Sequence, residues 1–204
     1  MKKTLILFSA GLVLGFVFSR AEGQSPPEDM DEVTRQSNAQ RIATNKAGML
    51  VLGGWALTNI GVGTAGYLLS EDDEWRYFHQ MNAGWNIVNL AIATFGYLGE
   101  AGKEPSGFNW LETIQEGEFM QKALLLNAGL DVGYMALGGL LWQKGHSEDS
   151  PRFVGYGQSL IVQGAFLMVF DLTLFALNHR ISADYMMMLS PNENGGQISV
   201  LGTF

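Results

Sequence analysis

Cysteine is absent from the 204 residues, which excludes disulfides, thiolate metal sites and cysteine nucleophiles alike. Charge is scarce as well. Only 16% of residues are Asp, Glu, Lys or Arg, well under the quarter that soluble domains carry. The charge present is mostly acidic: 20 Asp and Glu stand against 12 Lys and Arg, for a net charge of −8. That balance argues against a nucleic-acid partner, which would require a basic face. Catalytic signatures are missing too. No Gly-rich phosphate loop, GxSxG elbow or HExxH occurs. His79, His146 and His179 form no metal-ligand spacing with one another. The sequence therefore leads us to expect no enzyme, no metal and no cofactor.

Glycine and apolar residues are abundant instead. The chain has 26 glycines and is 47% hydrophobic, yet its mean hydropathy is only +0.09. The apolar residues must then lie in blocks. After Lys2 and Lys3, a short apolar run from Leu5 to Phe18 ends in Ala21-Glu22-Gly23. This pattern is that of a secretory signal, with cleavage after Gly23; the alternative is an uncleaved anchor. Residues 24–32, QSPPEDMDE, are expected to be disordered, and 30–46 to form an amphipathic helical run-in.

Four blocks follow, at about 47–69, 77–98, 123–143 and 156–178, none with an interior Lys or Arg. Each reaches the ~20 residues that cross a hydrocarbon core as a helix. The predicted fold is all-α, a transmembrane four-helix bundle over 47–182. Short connections, SEDDEWRYFHQ and KGHSEDSPRF, make two tandem helical hairpins. A gapless shift of 76 residues sets Lys46-Ala47 on Lys122-Ala123 and Gly63 on Gly139, which suggests an internal repeat. Ser106 or Asn109 is placed to cap the helix entering the third span. Residues 183–204 read as a tail, with two short strands around PNENGG. The signal puts both mature termini outside. Arg41, Lys46, Lys103, Lys122 and Arg180 on that side, against Arg76, Lys144 and Arg152 opposite, pull the other way.

Polar residues inside the blocks define the candidate site. Asn82, Asn86 and Asn89 follow i, i+4, i+7 and so share one helix face. Asn127, Asp131 and Tyr134 repeat that spacing, Gln163, Asp171 and Asn178 share a face, and Asn59 lies near the middle of the first block. Hydrogen bonds between such amides hold membrane helices together at about 0.6 kcal/mol each. An aspartate at mid-helix costs roughly 2.5–3.5 kcal/mol, more than one such bond returns. Asp131 and Asp171 are therefore candidates to be protonated, to bind a cation or to line a hydrated cavity.

The stretch MNAGWNIVNLAIATFGYLG, with its Arg76-Tyr77-Phe78-His79 lead-in, resembles a family of uncharacterised bacterial proteins of the Bacteroidota type. The resemblance implies a signal-bearing protein with four membrane helices, and it transfers no role to any residue. The expected location is the bacterial inner (plasma) membrane, with the lipid bilayer as the first partner and a membrane protein or a second copy as another. The first functional expectation is a non-enzymatic component that binds a partner helix or a small hydrophobic ligand at the polar seam. The second is an oligomeric proton- or cation-linked transporter or channel centred on Asp131 and Asp171.

Overall fold

The computed structural model describes residues 28–189. The predicted signal segment and the turn-and-strand reading of 190–204 lie outside those residues. Among the described residues there are four long helices, α1 (Glu28–Leu69), α2 (Asp73–Ala101), α3 (Trp110–Ser147) and α4 (Pro151–Leu189), and one 3-10 turn at Pro105–Gly107. No strand occurs among the described residues.

Local chemistry sets the helix ends. Asp72 caps α2 by accepting from the Trp75 backbone N–H. Asn109 caps α3 by accepting from Leu111 and Glu112, while Glu112 reaches back to the Asn109 N–H, which completes a capping box. The turn between α3 and α4 places Asp149 at φ 51°, a left-handed conformation that Asp tolerates better than most residues.

Two stretches depart from the sequence reading. The helix α1 begins at Glu28, inside the stretch 24–32 expected to be disordered; Asp31 and Glu32 suit a helix N-terminus. Residues 184–189, expected to be strand, continue α4. Methionine and leucine favour helix, and Tyr185 is fixed there by a 2.8 Å hydrogen bond to Thr34.

Each helix exceeds the ~30 Å hydrocarbon thickness, from about 44 Å for α2 to about 63 Å for α1. Three of them, α1, α3 and α4, are long and apolar enough to cross a membrane. The second helix, one of the four blocks expected to span, is not apolar enough by composition, because its asparagines dilute its hydropathy. α4 is the central element and packs against the other three. Glycines permit these approaches. A Cβ on Gly138 would lie 2.7 Å from the Gly157 carbonyl oxygen, and one on Gly155 would press on the backbone of α2 at Phe78.

Candidate functional site

Side chains from α1, α2 and α4 meet in a continuous amide network. Gln163, fully buried on α4, donates through Nε2 to Asn82 Oδ1. Its Oε1 accepts from Asn86 Nδ2 and from the Trp55 indole N–H, each at 3.1 Å. Asn82 donates to Asn59 Oδ1 at 3.0 Å, and Asn89 to Asn86 Oδ1 at 3.2 Å. Trp55 also stacks on Phe166, with centroids 3.7 Å apart. Asn59, Asn82, Asn86, Asn89 and Gln163 are thus brought together and bond to one another, as buried polar groups must.

Asp131 and Asp171 form a separate pair between α3 and α4. Both are buried, and their carboxyl groups lie close enough to interact directly. Helix geometry explains the meeting. Side chains lean toward the N-terminus of their own helix. In an antiparallel pair the two leans converge, so residues on neighbouring levels reach each other. Gly164 helps, because a Cβ there would sit 2.9 Å from the Asp131 carbonyl oxygen. Neither aspartate joins an ion pair among the described residues, and Asp131 Oδ2 is buried with no donor facing it.

Two residues of the expected third stripe lie elsewhere. Asn127 is exposed and does not join the pair. The buried face of α3 runs through Leu124, Ala128, Asp131 and Gly138, which leaves Asn127 at its edge. That face is narrow because α3 packs mainly on α4. Tyr134 instead meets the Trp85 ring edge-on, at 4.8 Å between centroids, and so links α3 to α2.

A second polar cluster was not foreseen. It lies at the end of the bundle where α1 and α3 begin and α2 and α4 finish. Thr34, Asn38, Arg41 and Asn45 are all buried on one face of α1. Asn38 donates to Thr113 Oγ1 at 2.9 Å, and Arg41 Nη1 donates to the Thr113 carbonyl at 2.9 Å. Asn178 donates to Asn45 Oδ1 at 3.0 Å. Lys103 bridges Glu100 and Glu116 at 3.0 Å each. Burial lowers the Arg41 pKa, and the charges of Glu116 and Glu100 oppose that shift. The signal was present in the sequence: 34, 38, 41 and 45 repeat the spacing of the α2 asparagines.

Comparison with known families decides the kinship of this fold. A family model described as a family of unknown function, DUF6992, matches residues 51–172, more than half of the chain. The chain belongs to the DUF6992 family. The match takes in the whole of α2, the amide network and both aspartates. No curated protein and no solved structure matches the chain.

Proposed function

We propose that this DUF6992 protein is an integral membrane protein whose four helices all cross the bilayer, and that it moves a proton or a small cation through the Asp131–Asp171 pair, as an oligomeric transporter or channel. For α2, the support lies in what faces outward. From Met81 to Gly99 its exposed positions are Gly84, Ile87, Val88, Ala91, Ile92, Thr94, Phe95, Leu98 and Gly99. Thr94 alone is polar, and its hydroxyl donates to the Leu90 carbonyl at 2.8 Å. Those 19 positions extend about 28 Å, close to the ~30 Å of a hydrocarbon core. The asparagines that lower its hydropathy are turned inward, where lipid does not meet them.

The observation that carries the functional reading is the carboxyl pair itself. Two buried acids face each other with no basic partner among the described residues, and one oxygen has no donor. Two carboxylates at such a distance repel, so one proton or one cation between them is the economical state. An ionised carboxylate at that depth costs several kcal/mol, which a shared proton or a bound cation relieves. The amide seam supports the alternative, a site for a partner helix or hydrophobic ligand, less well. Its side chains already satisfy one another, and a ligand would have to break those bonds.

Flux measurement tests the reading. In proteoliposomes with an imposed pH or cation gradient, the protein should give flux above protein-free vesicles. Asp131→Asn or Asp171→Asn should reduce it at least tenfold while helicity and melting temperature hold. Undiminished flux in both variants, or none in the parent protein, would remove the pair from this role.

A further inference from the structure

Beside the carboxyl pair, and independent of it, the bundle holds a cleft of about 230 Å³ where α1, α3 and the end of α4 meet. Ser37, Arg41, Thr113, Gln121, His179 and Ser182 supply its polar wall, and Ile114 and Ile181 part of its apolar one. Arg41 is only 4% exposed. Its guanidinium spends Nη1 on the Thr113 carbonyl and lies 5.5 Å from the centre of the Phe108 ring. Nη2 is buried with no acceptor. Among the described residues no carboxylate forms a contact ion pair with Arg41: Glu100 and Glu116, whose charges act on it, are both engaged by Lys103. A buried guanidinium nitrogen left unpaired is costly, so Nη2 is a donor without an acceptor.

A second donor is set against the same space. His179 Nδ1 lies 2.9 Å from Gln121 Oε1, an acceptor, and so donates to it. Gln121 Nε2 in turn donates to Ser182 Oγ at 3.0 Å. With that oxygen serving as acceptor, the Ser182 O–H proton is left to donate. The chain is polarised toward the cleft. Glu118, a carboxylate on the wall, is tied to Lys122 at 2.9 Å. Donors without acceptors, around one guanidinium, select an oxyanion over a cation.

We propose that this cleft binds a phosphate group, held by Arg41 and Ser182, with Ile114 and Ile181 against the carbon skeleton that carries it. Such a phosphate comes either from an anionic lipid headgroup or from a free phosphate. The full chain would be examined by native mass spectrometry after incubation with phosphatidylglycerol or phosphatidylcholine, and by thermal melting in phosphatidylcholine with added inorganic phosphate. Retention of phosphatidylglycerol at least tenfold over phosphatidylcholine identifies the lipid source. A melting rise with phosphate, without that preference, identifies the free one. Either response should be lost in Arg41→Gln and in Ser37→Phe, which fills the cleft and leaves Arg41 in place should the first variant fold poorly. Neither response in the parent protein, or a response that survives Ser37→Phe, overturns the proposal. Flux through Asp131 and Asp171 is read separately, so the two readings fail independently.

Discussion

At the residue scale, Gln163 illustrates how a polar side chain holds three helices. Its carbonyl oxygen is shared by Asn86 and Trp55, and its amide nitrogen serves Asn82. An average interhelical hydrogen bond in a membrane is worth about 0.6 kcal/mol, but leaving buried donors unsatisfied costs about 1–3 kcal/mol. Gln163→Leu strands the Trp55 Nε1 donor and leaves the Asn82 Oδ1 acceptor without its donor. We expect a loss of about 1–2 kcal/mol, measured by denaturant unfolding in detergent. Thr58→Ala, by contrast, removes only an exposed hydroxyl bonded to its own helix at Gly54, and should change stability by less than about 0.5 kcal/mol.

Tyr185 offers a pH test at the same scale. Burial raises its pKa above the ordinary 10.0, against the opposing effects of its Thr34 hydrogen bond and the Arg41 charge. The unfolded chain therefore releases this proton first as pH rises. Stability is full below pH 10 and declines from there through the higher folded-state pKa. The melting temperature should fall between pH 9.5 and 11, and it should fall less steeply in Tyr185→Phe. Equal slopes in the two proteins would show that the phenol does not titrate with folding.

At the element scale, glycine contacts decide how close α3 and α4 can lie. Gly138 and Gly139 are neighbours in sequence, yet only Gly138 faces α4; a Cβ on Gly139 meets nothing within 4 Å. Gly138→Leu should separate the helices and cost about 1–3 kcal/mol or more, whereas Gly139→Leu should be near neutral. Parallel melting curves of the two variants check this.

The same scale shows what was legible in the sequence. Period-3.6 spacing puts the asparagines of α2, Gln163 and the two aspartates on buried helix faces, because burial follows helix geometry directly, but it does not show that Gln163, Asp171 and Asn178 join three separate clusters. The capping side chain Asn109 is readable for the same reason. Asn127 is misplaced because spacing gives a direction on the helix but not the width of the face its neighbours cover. Arg41, counted in the sequence only as a flanking charge, and its stripe are not readable as a buried site, because a charged run ahead of an apolar block reads as a solvated surface. Only the arrival of Thr113, Glu100 and Asn178 from three other helices shows that it is enclosed. Averaging over α2 mixes inward asparagines with outward leucine, isoleucine and phenylalanine, so hydropathy alone undervalues it.

At the scale of the whole molecule, the proposed account stands or falls on whether α2 crosses the bilayer. If it does, the asparagine network and the carboxyl pair both lie within the hydrocarbon depth, enclosed by apolar outer faces. If it does not, α1 and α3 enter from opposite sides and the packing of α2 on α1 and α4 cannot persist in a membrane. Since the chain has no cysteine, single introduced thiols report cleanly on sidedness. The decisive measurement is labelling of Glu71→Cys, Ser106→Cys and Glu148→Cys with a membrane-impermeant maleimide in sealed vesicles. The four-helix reading predicts that Cys at 71 and at 148 label from one side and Cys at 106 only from the other. Labelling of positions 71 and 106 from the same side would contradict it.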